Sequence, residues 1–242
     1  MRFSVIIPAY NEEHYLPRLL NSIEVARRSF AGGRDEIEVI VANNDSTDAT
    51  AETAAAHGAR VVHVAKRRIG AARNGAAQLA EGEILCFIDA DSAVHPQTFN
   101  AIDERMKRDR YVWGVTGARL DRKSFALIVT HYMFMPMVWI TGLDIGLSFC
   151  RREDFEAVGG YDENRFYAED VLLPLALRRL GRSRGQRLTR VPKVKALQCT
   201  RKFDQFGEWH YLWMLGHVVK SLITSNWHDE KLAERYWYNP GR

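Results

Sequence analysis

Val5-Ile6-Ile7-Pro8-Ala9-Tyr10-Asn11-Glu12-Glu13 passes from an apolar, β-branched strand into a proline and then into a polar segment with the composition of a helix start. Working outward, the same alternation returns. Short β-branched runs at 3–7, 37–41, 60–64, 84–88 and 112–116 are separated by stretches with helical spacing. Leu16, Leu19, Leu20 and Ile23 recur on one helical face, and 48–57 and 70–80 are rich in alanine, a strong helix former. Such an alternation builds βαβ units and a mainly parallel, Rossmann-like sheet flanked by helices, the α/β class. Ligands of such sheets sit beyond the carboxyl ends of the strands. The loops that start at Pro8, Ala42, Ala65 and Asp89 are therefore expected to surround one crevice.

The whole chain agrees with one α/β domain. Its 242 residues are 46% hydrophobic and 26% charged, with no low-complexity tract or repeat, which excludes fibrous, solenoid and disordered classes. The net charge of +4 is small and its signs are interleaved, so no nucleic-acid partner is expected, while anionic substrates or an acidic membrane face remain compatible. Cys86, Cys150 and Cys199 lie far apart in apolar surroundings and read as reduced thiols, not as a disulfide framework or a zinc site. Met1-Arg2-Phe3-Ser4-Val5 leads straight into a strand without an apolar export segment, so a cytoplasmic location is expected.

Beyond residue 117 the pattern changes. The apolar segment 125–143 approaches the length of a membrane span, but His131, Pro136 and Thr141 interrupt it, and it reads as a buried or interfacial helix. A strand is expected at 145–150, with helices at 152–158 and 169–180. The tail carries aromatics at helical spacing, Trp209, Tyr211 and Trp213 among them. Residues 1–117 and 118–200 are accordingly read as two halves of one domain, and 201–242 as an aromatic helical C-terminal region.

Four polar stations fall at or after the expected strand ends. Asn11 and the acids beside it are a good helix start, and nothing more taken alone. Asn43-Asn44-Asp45-Ser46-Thr47-Asp48 offers acceptors for a nucleobase or ribose, with Ser46 and Thr47 better explained as turn and cap. Cys86-Phe87-Ile88-Asp89-Ala90-Asp91 ends an apolar strand in two aspartates, whose mutual repulsion a divalent cation or a ribose diol would offset. Asp91 is the candidate metal ligand. Capping of the helix after Pro96 would explain one aspartate and leave Asp89 without a task. Glu169 and Asp170 open an otherwise apolar helix, where the dipole favours acids; facing the crevice, Asp170 is placed to accept a hydroxyl proton. Arg73 and Asn74 line a crossover helix, and the guanidinium suits a phosphate as well as it suits solvent. The glycines form neither a dinucleotide fingerprint nor a phosphate loop, which weakens NAD and ATP-hydrolysis readings.

Taken in order, these motifs resemble the inverting, non-processive family 2 glycosyltransferases of GT-A fold, from residue 3 to about 179. The resemblance also rests on Arg151-Arg152 and on Phe155-Glu156-Ala157-Val158-Gly159-Gly160-Tyr161-Asp162-Glu163. It implies that Pro8, Tyr10 and Glu12 line a nucleotide pocket, that Asp45 bonds the base, and that Arg73 helps hold base or diphosphate. Asp89 would sit near ribose and metal, Asp91 would ligate Mn2+ or Mg2+, Asp170 would be the catalytic base, and Glu169 would serve the acceptor. The donor so implied is a nucleotide sugar, with UDP favoured, and the acceptor a glycan, a lipid-linked or a small molecule. The wider fold often adds a late histidine to the metal; His210, His217 and His228 are available, His210 being the candidate.

Processive synthases of the family carry Gln-x-x-Arg-Trp. Here Gln205-Phe206-Gly207-Glu208-Trp209 puts an acid in place of the arginine, which speaks against processive synthesis. The aromatics of 125–139 and 209–213 suit core packing, and would also suit peripheral contact with the inner face of a membrane. The run 178–187 is basic with two glycines and reads either as a lid that gathers anions or as a solvated loop. Two rival functions stay open: a sugar nucleotidyltransferase, although no early glycine-rich loop with its Arg and Lys is found, and a non-catalytic nucleotide-sugar or glycan-binding module.

Overall fold

A computed structural model describes residues 1–122, 124, 126, 127, 129, 132, 133, 144–164, 169–207 and 209. In chain order the elements are β1 (Phe3–Ala9), α1 (Leu16–Arg28), β2 (Ile37–Asn43), α2 (Thr50–Ala56), β3 (Arg60–His63), α3 (Ile69–Ala77), β4 (Ile84–Phe87) and α4 (Thr98–Met106). They continue with β5 (Tyr111–Val115), β6 (Ala118–Leu120), β7 (Ser148–Arg151), α5 (Arg152–Ala157), α6 (Glu169–Ser183), β8 (Arg187–Arg190), β9 (Ala196–Gln198) and α7 (Arg201–Phe206). One sheet runs β3-β2-β1-β4-β7-β5-β8, and β6 and β9 pair separately. β3, β2, β1 and β4 are parallel neighbours; β7 is antiparallel to β4 and β5 on either side, and β5 and β8 are parallel.

Every residue of β1 is buried, as a strand covered on both faces requires. Val5 and Ile7 pack with Leu16, Leu19 and Ile23 of α1, whereas Ile6 turns to the other face and packs with Ala72 and Ala76 of α3. The period of two in the sequence thus becomes two cores, one on each side of the sheet. Pro8 fits because β4 has already ended beside it. Ile6 O still accepts from Ile88 N at 3.2 Å, and Pro8, two residues on, would direct its missing donor to that same side while pairing with Ala42 on the other.

Strands β1 to β5 and helices α1 to α3 fall where the sequence spacing expects them, within a few residues. α1 starts at Leu16 behind Tyr15, with Pro17 in its first turn, and not at Asn11. Asn11 instead takes a left-handed backbone, φ 53°, and its Oδ1 accepts from Thr47 N at 2.8 Å, locking the loop after β1 to the loop after β2. α4 is capped at Gln97 without a side-chain bond, so neither Asp91 nor Ser92 caps it. The basic run 178–187 is neither lid nor solvated loop: it supplies the last turns of α6, a turn at Gly185 with φ 70°, and the first residue of β8. Cys86 and Cys150 are buried free thiols, and burial raises the Cys86 pKa. Among the described residues no helix is long and apolar enough to cross a membrane. Most of the apolar segment 125–143 and nearly all of the tail beyond 207 lie outside the described residues.

Gly82 precedes β4 where it meets β1. A Cβ at Gly82 would lie 2.5 Å from Phe3 C and 2.5 Å from Ser4 N, main-chain atoms of the central strand that have no room to give. Gly82→Ala is therefore expected to lose about 1–3 kcal/mol of stability through overpacking, read as a lowered urea midpoint with an unchanged slope.

Candidate active site

The order β2-β1-β4 makes the gap between β1 and β4 a topological switch point, where the chain leaves one strand to the left and reaches the other on the right. Loops diverge there, and ligands of such sheets bind at that point. Glu12 follows β1 on one side of it, and Asp89 and Asp91 follow β4 on the other. Glu12 and Asp91 are both buried, an arrangement that costs several kcal/mol per charge unless a counter-ion is supplied.

Arg201, at the first position of α7, supplies it. Its Nη2 donates to Glu12 Oε1, its Nε lies 3.2 Å from Asp91 Oδ2, and its guanidinium stacks 4.3 Å from the Tyr15 ring centroid. Burial works against the Arg201 charge, but Glu12 and Asp91 more than compensate and its pKa is raised. Backbone pairing delivers Arg201 to this place. Leu197 in β9 and Ala93, two residues past Asp91, exchange both main-chain bonds at 2.8 Å, and Asp121 Oδ1 accepts from Thr200 N and Oγ1 at 3.1 and 2.8 Å.

A second arginine treats Asp89 in the same way. Arg73 Nη2 donates to Asp89 Oδ1 at 3.0 Å and Nη1 to Glu169 Oε1 at 3.3 Å, with its guanidinium 5.1 Å from the Tyr161 ring centroid. Burial opposes the charge first, yet the surrounding Asp89, Glu169 and Asp170 raise its pKa. Arg73 is neither a surface residue nor aimed at solvent. Its neighbour Asn74 fastens the loop that carries Tyr161: Asn74 Nδ2 donates to Tyr161 O and Glu163 Oε1, each at 2.9 Å, and Asn74 Oδ1 accepts from Tyr161 N.

Glu169 and Asp170 stand in the first turn of α6. Burial raises the Glu169 pKa, Asp170 adds to the rise and Arg73 opposes it. Asp170 keeps solvent-exposed surface, but the protein packed around its carboxyl is the first cause of a raised pKa; Arg73 opposes this and Asp89 reinforces it. The exposed Asp170 and its buried neighbour Glu169 thus both feel the charge of Arg73, which pairs directly with Glu169.

The outer rim is formed by the loop after β2. Asp45 has φ 65° and accepts from Arg67 Nε at 2.9 Å, and Arg67 lies 5.3 Å from the Tyr10 ring centroid, so Tyr10 and Asp45 meet across one arginine. Asn44 Nδ2 donates to Val64 O and Lys66 O, fixing the loop that carries Arg67. The candidate residues therefore assemble as Glu12 with Asp91, Asp89 with Arg73 and Glu169, and Tyr10 with Asp45, while Pro8 lies inside β1. His210 falls outside the described residues, as do His217 and His228. Among the described residues no group of three or more His, Cys, Asp or Glu gathers into a ready-made metal cage. Asp89 and Asp91 are nevertheless hard oxygen donors of the kind Mg2+ and Mn2+ take in ones and twos. Arg67 and Arg201 escape the sequence reading. Each is one arginine among many, and no local spacing distinguishes it. A separate cavity of about 430 Å³, lined by Arg110, Tyr111, Arg187 and Arg190 among others, lies along the far edge strand β8.

Residues 4–155 match the family model described as glycosyl transferase family 2, and the chain belongs to that family. It is 36% identical over 104 residues to poly(ribitol-phosphate) beta-N-acetylglucosaminyltransferase TarS of Staphylococcus aureus, covering 40% of this chain and 18% of that one. Over 205 residues it is 32% identical to the validoxylamine A glucosyltransferase of Streptomyces hygroscopicus subsp. limoneus, covering 66% of this chain and 44% of that one. It spans less than half the length of these curated relatives. Among solved structures, S. aureus TarS 1-349 in complex with UDP-GlcNAc superposes with a TM-score of 0.64 at 22% identity, over 83% of this chain and 59% of that one. The mannosyltransferase PcManGT of Pyrobaculum calidifontis, in complex with GDP-Man and Mn2+, gives 0.64 at 23%, over 81% and 56%. The fold is thus of GT-A type.

The Arg73 to Glu169 pair is buried on both sides, with side chains 10% and 9% exposed. Arg73→Met should cost about 3–5 kcal/mol because it strands acids that have lost their partner. Adding Glu169→Gln should return part of that loss. Chemical denaturation of the three proteins checks the pair, and equal losses with and without Glu169→Gln would contradict it.

Proposed function

We propose that this chain is a metal-assisted, inverting glycosyltransferase that moves a sugar from a nucleoside diphosphate donor, UDP-sugars favoured, to an acceptor hydroxyl, one transfer per encounter. The observation that carries this reading is the convergence of Asp89, Asp91, Glu169 and Asp170 around a switch-point crevice, gathered from separate segments by Arg73 and Arg201. Family membership supports it, as do relatives whose names specify glycosyl transfer.

In this reading residues 1–117 form the donor half, with Pro8, Tyr10, Glu12, Asp45 and Arg73 about the nucleotide. Residues 118–200 carry acceptor and base, and 201–242 form an aromatic helical C-terminal region. Asp91 and Asp89 would hold Mn2+ or Mg2+, with His210 as a further ligand. Such a cation, when bound, neutralises charge on the departing diphosphate. Asp170 takes the proton of the acceptor hydroxyl while that oxygen bonds to the anomeric carbon and the bond from that carbon to the diphosphate oxygen breaks. Attack from the face opposite the leaving group inverts the centre. Glu169, held by Arg73, stands beside the base to orient the acceptor, which is a glycan, a lipid-linked or a small molecule. The acid at Glu208, in place of the processive arginine, supports single transfers, and the aromatics of 125–139 and 209–213 support peripheral contact with a cytoplasmic membrane face.

A donor-hydrolysis screen across UDP- and GDP-sugars, with and without chelator, tests the assignment. Turnover should require the cation and drop at least a hundredfold in Asp91→Ala; background hydrolysis under every condition, with donor still bound, would instead favour a binding module. Asp170→Asn should bind donor normally yet fail to transfer, because an amide cannot take the proton. The base works ionised, and its pKa is raised. The acid limb of kcat is therefore expected above the ordinary aspartate range of about 3.9, with activity falling as pH drops through it.

A further inference from the structure

We infer that Arg201 makes uptake of a divalent cation conditional on the donor diphosphate, by acting as the resident counter-ion of the acid pocket until the donor arrives. The inference rests on the metal site of the proposed function, and goes beyond it to the order in which the site fills.

Three observations carry it. Arg201 is 11% exposed and meets two buried carboxylates at once, Glu12 after β1 and Asp91 after β4. Its Nε is 3.2 Å from Asp91 Oδ2, the very carboxylate a divalent ion would need. It is held there by more than Asp91, through Glu12, through the Tyr15 ring at 4.3 Å, and through the β9 strand paired to Ala93.

Electrostatics sets the consequence. Arg201 already pairs with Asp91, so a divalent ion entering alone meets a compensated ligand and a fixed positive charge beside it. Like charges a few ångströms apart in a partly buried pocket repel strongly. A nucleoside diphosphate brings its own negative charge and reverses the balance, supplying phosphate oxygens while offsetting Arg201. Cation and diphosphate are therefore taken up together, and the acids remain compensated when neither is present. Because Arg201 is presented by β9 and the start of α7, the seating of this late segment tunes the cation site at the switch point, which is built from the first hundred residues.

The test is Mn2+ binding read by the electron paramagnetic resonance signal of free Mn2+, with and without UDP, and in parallel with GDP. Wild-type protein should bind Mn2+ at least tenfold more tightly with a diphosphate that fits. Arg201→Met should bind Mn2+ without nucleotide at least tenfold more tightly than wild type, with the nucleotide effect reduced. Arg201→Lys, which keeps the charge, should remain conditional, and melting temperatures show which variants fold. Equal wild-type affinity with and without nucleotide overturns the inference even if Arg201→Met fails to fold. So does a folded Arg201→Met with unchanged or weaker Mn2+ affinity in the absence of nucleotide. Mn2+ binding by no protein under any condition instead removes the metal site itself.

Discussion

Two buried arginines divide between them the acid pair that closes β4, and the rest of the crevice depends on that division. Asp89 pairs with Arg73 and Asp91 with Arg201, and each arginine reaches a second acid from another part of the chain, Glu169 and Glu12 respectively. Without these partners the two carboxylates would repel one another, and the buried Asp91 would lose hydration worth several kcal/mol. With them, the acids become the cross-links that hold the loop after β1, the loop after β4 and the start of α6 in one place.

The scaffold makes this division possible. β1 is buried on both faces and fixes two cores, so the loops at its carboxyl end and at that of β4 have a rigid base. The insertion of β7 antiparallel between β4 and β5 brings the later half of the chain to the same sheet. α6 then packs against β5 and presents Glu169 and Asp170 to Arg73, while the small β6–β9 sheet carries Arg201 across to Glu12. Polar anchors such as Asn74 and Asn44 are structural in the same sense: they satisfy loop main-chain groups and so fix the loops beside the charged residues.

Much of this was legible in the chain. The alternation that opens at Val5 located five strands and three crossover helices, because burial on a pleated or helical surface imposes its period directly on neighbouring residues. The acids stood out for the same reason, each being a polar group at the end of an apolar run. Asn11 did not, since a left-handed residue that ties two loops together looks in sequence like a helix cap. The basic run 178–187 misled in the other direction: its charges lie on a helix end and an edge strand, where arginine is at home on the solvent side.

The sequence by itself determined the class of fold and marked out the acids that follow β1 and β4, which stand at the ends of apolar runs a few residues long. Only the tertiary structure decided which cation each acid faces. Arg201 and Glu12 are 189 residues apart and Arg73 and Glu169 are 96 apart, and no local pattern encodes such a pairing. Ion pairing between distant segments is set by how the sheet closes and what it buries, and in a chain with 34 lysines and arginines nothing in the spacing singles out the two that matter.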